Sequence, residues 1–563
     1  MKKMKNIKIW MAGAMVASST LFFQSCEIDI PLQDRYTEEA IWSDPTTAEM
    51  YINGLYAEFK KFQFGVFPNL GYDNASDALS DIMKYTSITA GNGTANILAS
   101  NANQFSAGSV GLNYWASGYD RIRRVNEFLD GLHKKSTFND EEKAKYEAEA
   151  RFIRGYAYFW LLRLHGSVVL YENLEQYTNK DQPRASEDEG WNFVAADFAF
   201  AAEHLGKTNL AGRATKGAAY GMLARAWIYA ASIAENDRNQ FNTDPLTGIP
   251  QSKAAEYYTN AMNAAKQVVA LADEGLYAVD ENFASIFQNK NTKEAIFRVD
   301  FSAPDITHQY DLGFAPPGDA PGNALVYGVP TAELVDEFQM EDGTPFSWSN
   351  PAHAADPYAN REPRFYATVL YHGASWKGRT LDLTESSSEG YIPYASMGDP
   401  KRTVTGYYAK KMLDPNNTNF VVNRSTQSWI ELRYAEVLLI LAEAQAGANQ
   451  LTEAVATLNT LRAKRGLPNV FSNTKAGVMA LVEHERMVEL AFEGHRFWDL
   501  RRWRKAHLVL NGVRFTGHKF NGISYEVVSA DNTDRSFTGA LYYLPIPEAE
   551  VQRNDALDQI KGW

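Results

Sequence analysis

The sequence predicts a mainly α-helical protein, a helical-repeat scaffold carrying a loop-rich face with short strands. Three observations predict it. Apolar residues recur at steps of three and four over eight segments, grouped towards the two ends of the chain. One of these segments, 215–234, is rich in Ala and Gly, side chains small enough to let helices pack closely. Between them, residues 304–400 lose the helical period and hold 11 of the 21 prolines, which predicts loop with short strands.

Taken in chain order, the first element is a targeting segment. Lys2, Lys3, Lys5 and Lys8 precede an uncharged stretch over 9–23, too short to span a bilayer as a helix, which takes about 20 residues. This pattern predicts a signal peptide over 1–25. It ends at Phe23-Gln24-Ser25-Cys26, and Cys26 is the one cysteine of the chain. A cysteine at that place is similar to a bacterial lipoprotein cleavage site, although Phe23 and Gln24 depart from the commonest form. The reading is lipidation at Cys26; the alternative is an ordinary signal peptide with an incidental cysteine. Glu27 and Asp29 resemble the surface-export signal of Bacteroidetes lipoproteins. The chain has no second cysteine for a disulfide and no later run of 18 apolar residues.

Helices are predicted over 115–132, 147–165, 191–205, 215–234 and 254–272, then over 430–446, 451–465 and 476–505. The division expected is an N-terminal helical part, 26–300, and a C-terminal part with variable loops and final helices, 301–563, in one globular body. Two stretches interrupt the helical pattern. Residues 85–119 carry no charge and include Asn92, Asn96 and Asn101. Residues 304–410 hold nine tyrosines and two tryptophans, too aromatic for a disordered loop.

Composition narrows the function. The net charge is -13, from 55 basic and 68 acidic residues, with no basic cluster, which argues against nucleic-acid binding. There is no HExxH, GxSxG, P-loop or CxxC pattern, and the ten histidines show no ligand spacing. No metal or cofactor is expected. Glu485, Glu489 and Glu493 fall at successive steps of four, with Arg486 and Arg496 at pairing distance along a helix. They are read as an ion-pair and packing network, as are Arg433 and Glu436; the alternative is acid/base catalysis.

The same segments carry a resemblance. Glu485-Arg486, Glu489-Leu490, Phe492-Glu493-Gly494, Arg496, Asp499-Leu500 and Trp503 resemble the C-terminal signature of the SusD/RagB family of Bacteroidetes nutrient-binding lipoproteins. Arg433-Tyr434-Ala435-Glu436, followed by Leu438-Leu439 and Ala442-Glu443-Ala444, is similar to its RYAE helix. Arg361-Glu362-Pro363-Arg364-Phe365 resembles its RDPRF motif, with Glu362 in place of Asp. Further likenesses lie at 337–343, 151–156 and Leu544-Pro545-Ile546-Pro547, all in the family's order. The resemblance implies four tetratricopeptide-like helix pairs, no catalysis, and delivery of oligosaccharides to a SusC-like TonB-dependent transporter in the outer membrane. Some relatives deliver peptides. A surface glycoside hydrolase is the reading from another class.

Sugars present apolar C–H faces and many hydroxyls, so their sites combine aromatic rings with amides and carboxylates. The resemblance places ligand aromatics in the middle region and in the loop before the first repeat helix, which here is the neutral, amide-rich stretch. The candidates are therefore Trp348, Trp376, Tyr310 and Tyr327, with Asn92, Asn96 and Asn101. The alternative for each ring is packing within its own loop.

Overall fold

Helices form where apolar periodicity and capping residues agree. The computed structural model describes residues 42–57, 59, 76–86, 105–109, 112–236, 244–394, 401–420 and 424–563. Cys26, Asn92, Asn96 and Asn101 lie outside the described residues. The first helix, α1 (Pro45–Tyr56), is additional to the eight predicted. The Asp44 side chain caps it by accepting the Thr46 N–H, and Pro45 occupies its first position. Next come α2 (Trp115–Lys134), α3 (Asp140–His165), α4 (Glu187–His204), α5 (Lys216–Glu235) and α6 (Ala254–Asp273). α3 and α4 begin earlier than predicted. Asn139 with Glu142, and Ser186 with Glu189, form reciprocal capping boxes at their starts. The last group is α7 (Tyr434–Gly447), α8 (Leu451–Lys464), α9 (Lys475–Glu489) and α10 (Arg496–Arg502).

From α2 to α9, each helix packs on the next, and α6 meets α7 across the whole middle segment. This makes four successive pairs, α2/α3, α4/α5, α6/α7 and α8/α9, in the expected tetratricopeptide-like arrangement. Close packing depends on small residues. A Cβ at Gly190 of α4 would stand 2.4 Å from Leu162 of α3, and one at Gly447 of α7 would stand 2.3 Å from Tyr258 of α6.

The strands form two-stranded antiparallel ladders. β1 (Met83–Tyr85) pairs with β3 (Gly328–Pro330), and β2 (Ala295–Val299) with β8 (Trp429–Arg433). In the middle region β4 (Val369–Leu370) pairs with β7 (Tyr408–Ala409), and β5 (Ser375–Trp376) with β6 (Arg379–Thr380). Near the C-terminus β9 (Thr516–Phe520) and β10 (Tyr525–Ser529) form a hairpin.

Two predicted helices differ from the structure. Residues 430–433 are strand because every residue of β8 is buried and its backbone is taken up by β2. The predicted helix over 476–505 breaks after Glu489. Phe492 and Gly494 adopt positive φ, 67° and 76°, and turn the chain before α10 begins.

Candidate functional site

The charged C-terminal motif is buried and internally neutralised. Arg364 Nε donates to Glu362 at 2.7 Å, while its Nη1 donates to Glu485 at 2.9 Å and Glu489 at 3.0 Å. Arg433 donates to Glu294 at 2.7 Å, to Glu489 at 2.8 Å and to Glu493 at 2.6 Å. Arg465 joins Glu294 and Glu489, and Lys411 meets Glu493. Burial alone would raise the pKa of Glu485, Glu489 and Glu493; the surrounding guanidinium groups, joined at Glu493 by Lys411, overcome it and hold all three below the usual range. Such carboxylates stay ionised and bonded, so they tie together the distant segments that carry Arg364, Lys411, Arg433 and Arg465 and have no proton to give. The partners differ from those expected along the helix. Arg486 pairs with Asp499 at 2.8 Å, Arg496 with Asp81 at 2.8 Å, and Glu436 with Arg225 at 2.5 Å. The turn at 490–495 moves Glu493 off the helix face that carries Glu485 and Glu489.

The four candidate rings do not form one site. Tyr310 is 2% exposed, stacks on Phe314 at 4.6 Å and donates its hydroxyl to the Lys411 carbonyl. Tyr327 is 4% exposed and lies parallel to Tyr85 at 6.2 Å beside the β1–β3 ladder. Trp376, also 4% exposed, sits at the β5–β6 turn and donates its indole N–H to Asp319 at 2.8 Å. These three rings are buried in contacts with other segments and present little open face in this structure. The reason is general: a large ring in a long loop is what gives that loop a core.

Trp348 is different. It is half-buried, and its indole N–H donates to both oxygens of Asp336, at 3.1 and 3.0 Å. Its ring lies 4.5 Å from His518, 5.3 Å from Phe346 and 5.8 Å from Tyr525. Tyr525 continues to Phe520 at 5.0 Å, and Phe520 to His372 at 4.3 Å. Through the buried Tyr358, the same group reaches Tyr371 at 4.3 Å, with Tyr366 beyond it at 6.3 Å. Trp348, Tyr366, Tyr371, His372, Phe520 and Tyr525 are all half-buried. They make a continuous, partly open aromatic surface, assembled from 346–348, 366–372 and the β9–β10 hairpin. Five of these six rings were not among the sequence candidates.

This surface is held rigidly. Tyr358 donates to Tyr407, which leaves Tyr407 to donate to His518 Nδ1 at 2.8 Å. The Nε2–H of His518 then faces Asp336 at 3.7 Å. Burial lowers the His518 pKa to about 4, so the ring is neutral at pH 7. Burial also raises Asp336 to about 6, against the opposing Trp348 N–H. One turn earlier on the short helix Ala332–Glu337, burial raises Glu333 to about 7; it accepts the backbone N–H and hydroxyl of Thr516. The two carboxylates therefore clamp Trp348 and the hairpin in place. Rings fixed before binding lose little freedom on meeting a ligand.

A cavity of about 530 Å³ lies elsewhere, between α2, α3 and α4. Its Arg151 and Arg154 are already paired with Asp197, at 2.9 and 2.8 Å. Among the described residues, no group of three or more His, Cys, Asp and Glu side chains is placed to hold a metal ion, and no helix is long and apolar enough to cross a membrane.

Residues 284–563 match the family described as "SusD family", and residues 52–228 match one described as "Starch-binding associating with outer membrane". The SusD-like protein P38 of Formosa agariphila is 25% identical over 538 residues, covering 91% of this chain and 94% of the relative. A solved SusD-like protein of Bacteroides fragilis is 27% identical, with a TM-score of 0.75 over 93% of this chain and 98% of the other. A second solved structure, a SusD-like carbohydrate-binding protein of Bacteroides fragilis, superposes with a TM-score of 0.76 at 24% identity, over 92% and 100%. The helix pairs, the order of the motifs and the length of these matches lead to one conclusion: the chain belongs to the SusD/RagB family.

Proposed function

We propose that this protein is a non-enzymatic, cell-surface glycan-binding lipoprotein that captures oligosaccharides and passes them to a SusC-like TonB-dependent transporter. The observation that carries the reading is the half-buried aromatic surface around Trp348. Flat, rigid rings match the apolar faces of sugar rings. The starch-binding and outer-membrane description of the family matched by residues 52–228 supports the same ligand class and location. Catalysis is disfavoured because the buried carboxylates of the C-terminal motif are held ionised by arginines. Glu333 and Asp336 likewise serve as hydrogen-bond acceptors that hold the surface together. In this reading Asn92, Asn96 and Asn101 supply amide contacts to the sugar hydroxyls, and an acylated Cys26 anchors the protein to the outer membrane.

Calorimetry with an oligosaccharide panel and with mixed peptides tests the ligand class. Binding within the glycan panel supports the reading, whereas binding confined to peptides replaces it with the peptide-carrier alternative. Release of new reducing ends during prolonged incubation with a bound glycan would show a hydrolase. Purification from native membranes tests the partner: a co-purifying barrel is expected, and Cys26→Ala should release the chain from membranes when that barrel is absent.

A further inference from the structure

A small cavity of about 20 Å³ lies where α10 meets α3, α5 and the C-terminal Tyr542–Tyr543 segment. Every residue around it is buried, none more than 8% exposed. A space of this size holds one water-sized particle and no polyatomic oxyanion. Its wall is unusual in charge: Arg163, Arg501, Arg502 and Arg504 face it with a single carboxylate, Glu187.

Among these groups, the partners of Arg501 leave its positive charge uncompensated. Arg502 is answered by Glu443 and Asp499. Glu187 accepts from Trp191 at 3.3 Å and from the Gly248 N–H at 2.5 Å, with Arg504 nearby. Arg501 has no such answer. Its Nη atoms donate to the carbonyls of Arg163 at 2.9 Å, Leu164 at 3.2 Å and Tyr542 at 2.6 Å. Its Nε has no hydrogen-bond partner. Trp498, 1% exposed, likewise has an indole N–H with no partner. Both residues border the cavity. The guanidinium carbons of Arg163 and Arg501 lie 4.3 and 5.0 Å from the Trp498 ring, drawing electron density from it and sharpening its N–H as a donor.

We propose that this cavity is a binding site for one monatomic anion, a halide such as chloride, held by the Nε–H of Arg501 and the indole N–H of Trp498. A buried donor without a partner and a buried charge without a counter-charge are both unfavourable. An anion relieves both at once. A water molecule could satisfy the donors but would leave the charge. Burial and the neighbouring Arg504 lower the Arg501 pKa to about 9, as expected for a guanidinium lacking a counter-ion. The ion would pin α10 to the α3–α5 layer, independently of what the aromatic surface binds.

Crystals of the purified protein soaked in sodium bromide test the site by anomalous diffraction. The expected result is a bromide peak in the cavity, within hydrogen-bond distance of Arg501 Nε and Trp498 Nε1. An absent peak, with water in the cavity, overturns the proposal. In solution, the thermal midpoint should rise as chloride replaces gluconate at fixed ionic strength, because a ligand that binds only the folded state stabilises it. Trp498→Phe keeps the ring and removes one donor, and should cut that rise by about half or more. An equal rise in wild type and Trp498→Phe overturns the assignment. Arg501→Met should abolish the bromide peak; if that variant does not fold, the Trp498→Phe comparison still decides.

Discussion

The segment around Glu485–Arg504 and the surface around Trp348 are both dense in side chains capable of chemistry, yet they are built oppositely. In the first, nearly every charge is buried and answered: Glu489 alone meets Arg364, Arg433 and Arg465. In the second, the rings are half open and most buried charges near them serve to orient a ring or a hairpin. A buried charge has to be paired wherever it occurs, so the first pattern marks structure. A half-open aromatic group leaves apolar area uncovered, which points to something that covers it.

Removing one member of the charge network should have the largest effect. Arg433→Met leaves Glu294, Glu489 and Glu493 short of a counter-charge, and urea unfolding should show a loss of about 3–5 kcal/mol. A loss under about 1 kcal/mol would mean that the network is dispensable and the contrast with the aromatic surface false. Crowding a helix crossing comes next. Gly190→Leu places atoms against Leu162, already 2.4 Å from an added Cβ, and should lower stability by about 1–3 kcal/mol. Unfolding midpoints unchanged by this substitution would show that α3 and α4 can part freely.

The third prediction concerns pH. Asp77 is buried and accepts the Gly494 N–H at 2.9 Å. Burial outweighs that bond and raises its pKa to about 8. Folded, the group keeps its proton; unfolded, it loses it near pH 4. The stability it contributes is thus complete below about pH 4 and lost progressively as pH rises towards 8. Relative to Asp77→Asn, the wild type should lose on the order of 1 kcal/mol per pH unit between about pH 5 and 7. Parallel stability curves for the two proteins would show that Asp77 is ionised in the folded state.

How far the sequence discloses this arrangement depends on whether a signal is local. The helices of the four pairs are legible because their apolar period lies within each segment, and the capping boxes at Asn139 and Ser186 were available to extend two of them. The break at 490–495 was half visible: Gly494 is a helix-ending residue, but a positive φ at a phenylalanine, Phe492, has no local sequence signal. Ile430–Arg433 reads as the start of a helix because the partner of that strand, Ala295–Val299, lies far away in sequence. The aromatic surface was the least legible part. Trp348 stood out by composition, but Tyr366, Tyr371 and His372 join Phe520 and Tyr525 only through folding. One signal for the hairpin was present, the Asn521-Gly522 turn between β9 and β10. Tyr310, Tyr327 and Trp376 were indistinguishable from it in sequence, since a ring that fills a loop and a ring that meets a ligand have the same composition around them.

The central claim is that the open aromatic surface, and not the buried charge network, meets the ligand. The most direct measurement is the affinity of wild type, Trp348→Ala and Tyr371→Ala for whichever oligosaccharide of the panel binds, with thermal midpoints recorded for each. Stacking on an aromatic ring is worth about 1–3 kcal/mol, so each variant should bind roughly 5- to 150-fold more weakly while remaining folded. Wild-type affinity in both folded variants would contradict the account and move the site away from this surface.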